Sequence, residues 1–331
     1  MYARIPRFPL AGLLLGVLLT AGCSAVVEDH PSKTFTVAPG GKLVIDADRG
    51  SIDIVSGGDN QLDIRMHRKV TSGSEKKARE VLEAHEVTFR QDGDTVTVRA
   101  RSTKDWKRWG WWGRGFQVRY EVTLPRRFNV DLKTAGGSIA IADLSGEVRA
   151  HTAGGSLRFG TIDGPVTCKT AGGSIVIASA TGAIDAHTAG GSISVDDAGA
   201  PATLETSGGS IRVKQAHAAL KVGTAGGSIE LGEVAAAVEA STSGGSIRAG
   251  FMRSPESDCC LETSGGSVRV SLPEGANINV DARTSGGHVT CDLPVTVQGE
   301  VKRNELVGKL GNGGPLLQLR TSGGSIHIQK R

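Results

Sequence analysis

The hexapeptide Thr-Ala-Gly-Gly-Ser-Ile constrains this chain more than any other feature. It first stands whole at residues 134–139. Its threonine returns at Thr152, Thr170, Thr188, Thr206, Thr224 and Thr242, each step eighteen residues. Looser copies begin at Thr263 and Thr284, each twenty-one residues on, and a last one begins at Thr321. A fixed period in this range is the mark of an architecture built by stacking one supersecondary unit on the next.

The columns of the repeat give the unit its shape. Five places after each threonine the residue is Ile139, Leu157, Ile175, Ile193, Ile211, Ile229, Ile247, Val268, Val289 or Ile326. Seven places after, nearly every residue is again apolar. The position between is mixed, as Arg158, Ser194, Arg212, Glu230, Arg248 and Arg269 illustrate. Apolar, variable, apolar is the period of a strand with one buried face. The run before each threonine alternates in the same way, so each repeat is two short strands and two turns. The glycine pair forms one turn, where positive φ is expected at the corner. The threonine points inward by parity, with its hydroxyl placed to bond a neighbouring rung.

One such unit cannot bury its own apolar face. Stacking can, with each strand pairing in parallel to its equivalent one repeat later. The expected fold is all-β: a parallel β-solenoid, or β-helix, of about ten 18-residue, two-strand rungs. An N-terminal β-rich cap with one short helix precedes it. The core must be narrow, in keeping with an aromatic content of only 4%. Parallel crossovers make a right-handed coil the default. A membrane barrel is disfavoured because its strands would need about ten residues with a uniformly apolar outer face. Here the strands are shorter and their outer face carries Arg, Glu and Asp.

The chain divides into residues 1–22, 23–130 and 131–331. The first stretch has Arg4 and Arg7 ahead of an apolar run too short for a stable span. It ends Leu19-Thr20-Ala21-Gly22-Cys23, which resembles the lipobox of bacterial lipoproteins and implies lipid attachment at Cys23. By the sorting rule of such proteins, Ser24 favours the outer membrane. The alternative is an ordinary secretory peptide beside a coincidental cysteine. Without this segment 36 basic and 34 acidic residues remain, a charge balance that argues against nucleic acid as a partner.

In the second region, residues 48–54 read as a degenerate copy of the repeat, so the stack begins there. Ser74 caps a predicted short helix to about residue 84, with Ala78, Val81 and Leu82 on its apolar side. Gln91-Asp92-Gly93-Asp94 signals a hairpin. All four tryptophans, Trp106, Trp109, Trp111 and Trp112, then fall within seven residues, beside Arg108 and Arg114. Trp and Arg are enriched at binding hot spots, so this loop is a candidate contact surface. The competing reading is a loop whose indoles pack over the end of the rod. Late in the chain, residues 251–258 and 293–316 read as insertions, which solenoids place in loops. Residues 326–329 read as the terminal strand, with Lys330 and Arg331 guarding its edge.

Little in the sequence points to catalysis. Cys259 and Cys291 are the first candidates for a disulfide among the inward cysteines, the other reading being that they are small core residues. His151 and His187 share a column two rungs apart, about 10 Å, too far to share a metal. Gly-Gly-Ser is not a phosphate loop, since no Lys-Ser/Thr pair and no helix follow. The column Arg212, Glu230, Arg248, Arg269 reads as a binding surface or as a solvated, compensated face. No cofactor or metal is implied, and an enzyme is not expected.

With these features, and with Tyr120-Glu121-Val122-Thr123-Leu124-Pro125 ahead of the repeats, the chain resembles the bacterial β-strand-repeat domains of unknown function often labelled putative adhesins. The resemblance runs from about Phe35 to the end. It implies a cell-envelope β-solenoid without catalytic residues and transfers no site residue by residue. The expected role is a lipid-anchored adhesin or surface-display protein, anchored in the membrane and touching a protein or glycan surface. The alternatives are a periplasmic scaffold or envelope-stress partner and, less favoured, a glycan-active enzyme.

Overall fold

The computed structural model describes residues 25–103, 115–297 and 302–331. Two long sheets face each other across a single apolar core that runs from Phe35 to Ile328. Strands that follow a glycine pair make sheet I, and strands that lead into a threonine make sheet II. Through the regular repeats the register is as the period demands. Ile193 lies beside Ile175 and Ile211 in sheet I, and Leu204 beside Ala186 and Val222 in sheet II. At about 4.8 Å per rung the stack is about 60 Å long.

Each residue of the motif has a separate duty. The buried Thr188 hydroxyl donates to the Gly173 carbonyl of the preceding rung (2.8 Å) and accepts from the Gly191 N–H of its own (3.3 Å). The same pair of bonds recurs at Thr170, Thr206 and Thr224. Ser192 N–H donates to Ser174 Oγ of the rung before (3.3 Å). The expected positive φ at the glycine pair is not found at any of its repeats between residues 136 and 324. The second glycine is required for clearance instead. A Cβ on Gly191 would stand 2.0 Å from the Gly173 carbonyl oxygen, whereas the nearest atoms to one on Gly190 are 3.6 Å away. Left-handed φ belongs to other corners, such as Gly50 and Gly93.

At both ends the rungs depart from sequence order. The first rung of the chain, strands Lys42–Ala47 and Ser51–Gly57, stacks on strands Asn129–Thr134 and Ile139–Ile141. On its other side it meets strands Thr95–Ser102 and Phe116–Pro125. Antiparallel strands Gln61–Ser72 and His85–Asp92 close that end. The helix Glu75–Glu83 lies against them, capped by Ser74, with Ala78, Val81 and Leu82 buried as the sequence indicates.

The C-terminal end overturns two expectations. Strands Leu316–Thr321 and Ile326–Lys330 are not terminal. They lie between the Thr263 rung and the Thr284 rung, pairing in parallel with both. Lys330 and Arg331 therefore guard no edge; they pair with Glu274 and Glu233. The insertion after residue 293 is not only loop. It supplies strand Glu305–Leu310, which runs antiparallel beside strand Ile278–Thr284, and strand Val295–Val297, which runs antiparallel beside Glu305–Leu310 and finishes sheet II. Antiparallel strands cover the N-terminal end of both sheets and the C-terminal end of sheet II, edges that would otherwise be bare and parallel.

Candidate functional site

The outward face of sheet I carries the arginine column. Neighbouring strands hold its members side by side: Arg212 beside Glu230, Glu230 beside Arg248, Arg248 beside Arg269, and Arg269 beside His327. The column is not uniformly compensated. The Glu230 carboxylate turns to Arg212, accepting from Nη2 at 2.8 Å and from Nε at 3.0 Å. His327 bonds Thr290 Oγ1 (2.6 Å) and faces Asp292 (3.3 Å). Arg248 and Arg269 are exposed and make no hydrogen bond or ion pair among the described residues. Like charges directly opposite on neighbouring strands are unfavourable, so these two arginines form a standing concentration of positive charge.

Sheet II carries a second column, Lys133, His151, Lys169, His187 and Glu205. Lys169 separates the two histidines, as the two-rung spacing requires. The His187 ring lies between Asp185 (2.5 Å) and Glu205 (3.2 Å). A shallow groove of about 740 Å³ runs along the same sheet at the second corner. Pro165, Ala183, Pro201, Ala219, Asp185 and Lys221 are among the residues that line it. The sequence signal was present, in small residues eighteen apart before each sheet II strand, but a column of alanine and proline reads as turn chemistry alone.

A buried polar cluster in the cap left no trace in the sequence, because its members are scattered. His85 is buried, with Nε2 at 3.3 Å from Asp48 Oδ1. Ser102 N–H donates to Asp48 Oδ2 (2.8 Å). Burial pushes the Asp48 pKa up, but the close His85 ring and the hydrogen bonding of Ser102 outweigh it and hold the carboxyl below its ordinary value. Arg68 grips Asp29 with two nitrogens and donates to the His85 carbonyl (2.8 Å). The cluster ties the helix and the antiparallel cap strands to the first rung.

Cys259 and Cys291 are both free, and the expected bridge between them is not made. Column parity placed both inward, in the two different strand columns, but could not show that another rung lies between them. Cys259 lies in sheet II on the Thr263 rung. Cys291 lies in sheet I on the Thr284 rung, with the interposed C-terminal rung between them. Cys168 is buried in the core, which pushes its thiol pKa up. Cys23, Arg108, Arg114 and the four tryptophans 106, 109, 111 and 112 lie outside the described residues. No helix among the described residues is long and apolar enough to cross a membrane.

A family model described as Toastrack DUF4097 matches residues 41–329. Among solved structures, the chain is similar to one described as a putative cell adhesion protein from Clostridium sporogenes. Identity is 12%, over 92% of this chain and 100% of that one, at a TM-score of 0.20. A putative adhesin from Bacteroides fragilis matches at 12% identity over 92% and 97% of the chains, with a TM-score of 0.33. A putative lipid binding protein from Parabacteroides distasonis matches at 10% identity over 92% and 97%, with a TM-score of 0.34. No curated protein matches the chain.

Proposed function

The chain belongs to the Toastrack DUF4097 family, and from that premise we propose that it is a lipid-anchored, non-enzymatic rod of the cell envelope that binds and displays. The observation that carries this reading is the register. Equivalent outward side chains stand one rung apart over most of the length, so any contact made by one rung is available to its neighbours. Weak contacts in such an array act together, each raising the effective concentration for the next. The outward carboxylates are mostly spent on neighbouring cations, as in Glu230 with Arg212, Asp196 with Lys214 and Glu239 with Lys221. That arrangement favours a binding face over acid–base chemistry, which needs carboxylates gathered in one cleft. Anchoring follows from the segment ending at Cys23, and the outer membrane from Ser24.

Protease shaving of intact cells tests the reading. A tag placed at the exposed turn of Gly311 and Asn312 is expected to be cleaved while a periplasmic control survives. Protection until the outer membrane is opened would remove adhesion and leave the periplasmic scaffold as the function.

A further inference from the structure

We propose that Arg248 and Arg269 form a binding site for a phosphate group carried on a sugar; the site deepens the display reading and rests on it for its biological setting. The two guanidinium groups project from adjacent strands of sheet I, in register. Neither has a counter-ion among the described residues, although Glu230 stands one rung from Arg248. In other places on the rod a cation and a carboxylate one rung apart do pair, as Arg212 with Glu230 and Lys221 with Glu239 do. This place alone in the arginine column sets two unpaired positive charges side by side. Such a pair is costly in the empty protein, and a bound anion of two negative charges relieves it.

The surroundings suit a phosphate monoester. Arginine presents a rigid fork that takes oxyanions two oxygens at a time. Two forks one rung apart match a group with three peripheral oxygens and about two negative charges. A single carboxylate would satisfy one fork and leave the other charge in place.

The neighbouring outward positions are small. Ser246 and Ser267 lie on one side of the arginines and Gly250 and Ser271 on the other, so nothing shields the guanidinium groups. Ser246 Oγ accepts from Ser267 N–H (3.1 Å), and Ser267 Oγ from Ser325 N–H (3.2 Å). Their own hydroxyl protons stay available to a polar ligand. Gly250 is held to glycine because a Cβ there would meet the Gly232 carbonyl oxygen at 2.4 Å. With hydroxyls and bare backbone beside the arginines a sugar has partners at hand, while an acyl chain would find little beyond the exposed Met252 past the end of the Arg248 strand. The phosphate is therefore one borne by a glycan and not a phospholipid headgroup.

The test uses the purified mature chain and glucose 6-phosphate as probe, followed through the arginine Nε–Hε resonances. The expected result is saturable binding, on the order of millimolar, in which the Arg248 and Arg269 signals move together. Arg248→Ala and Arg269→Ala should each weaken it about tenfold or more, the loss of a charge-assisted contact. Arg158→Ala removes an exposed arginine several rungs away and should leave it unchanged. Four outcomes would overturn the site: no saturable shift, equal weakening in all three variants, equal binding of glucuronate, or stronger retention by vesicles containing phosphatidic acid that depends on the same two arginines. Because the assay uses protein in solution, its failure is separate from any result of shaving cells.

Discussion

Replacing Gly191 by alanine should cost this protein far more than replacing Gly190, although the two stand side by side in the same turn. Neither has the positive φ that would by itself exclude alanine. The difference is clearance. A Cβ on Gly191 would lie 2.0 Å from the Gly173 carbonyl oxygen, 2.4 Å from its carbon and 2.6 Å from Ser174 N. All three are backbone atoms, so no side chain can swing aside, and the preceding rung must retreat by about 1.5 Å to reach ordinary contact. That movement loosens the Thr188 hydroxyl from both of its partners. Overpacking of this kind costs about 1–3 kcal/mol, and each lost hydrogen bond about 0.5–1.5 kcal/mol. Together the cost of Gly191→Ala is about 2–6 kcal/mol. At Gly190 the nearest atoms are 3.6 Å away, and alanine restricts the unfolded chain, so the change should be neutral or stabilising by up to about 1 kcal/mol. Urea unfolding of the mature chain followed by far-UV circular dichroism compares the two midpoints. Equal midpoints, or a Gly191→Ala protein as stable as wild type, would refute the clearance argument.

Other outcomes are open to direct measurement. Burial pushes the Asp281 pKa up, but Arg320 and Arg283 outweigh it, and the folded pKa lies below its ordinary value. Its contribution to stability is therefore present above the unfolded pKa of about 3.9 and lost as pH falls through the lower folded value. Melting temperatures should drop on acidification through that window, and Asp281→Asn should flatten the drop. Native protein treated with a thiol reagent at neutral pH should leave Cys168 unmodified until it is unfolded, since it is buried and its thiol pKa is raised. Peptide mapping of the oxidised protein should find no bridge between Cys259 and Cys291. Substituting Trp109, Trp111 and Trp112 by alanine should remove binding to the displayed protein's target cells while leaving circular dichroism unchanged; loss of folding would instead assign the indoles to packing.

What could be read from the sequence, and what could not, divides along physical lines. Period and parity are local, so the inward columns, the threonine ladder and the helix after Ser74 were all legible. Rung order at the ends was not. The copies at Thr263, Thr284 and Thr321 offer nearly identical ladders, and nothing in the motif says which two are neighbours. The choice is made by residues 293–316, long enough to build an antiparallel strand and return the chain between two rungs. The need for glycine was plain, but a sequence cannot distinguish a residue chosen for its φ from one chosen for the space beside it. The arginine column was legible as a column. That Arg248 and Arg269 go unpaired was not, because it depends on which way Glu230 turns. The cap cluster of Asp29, Asp48, Arg68, His85 and Ser102 spans too much chain to show any pattern.

The account rests on rungs stacked in one fixed order, and cysteine cross-linking measures that order most directly. Ser264, Ser285 and Ser322 are exposed equivalents, each next to its rung's threonine. In a chain without other cysteines, the pair Ser264→Cys and Ser322→Cys should form a disulfide readily. Their strands are neighbours about 4.8 Å apart, within the span a disulfide bridges. Ser264→Cys with Ser285→Cys should not cross-link, because the C-terminal rung lies between them and separates them by about 10 Å. The reverse pattern would mean that the rungs follow the order of the sequence, and the interposed C-terminal rung would be wrong.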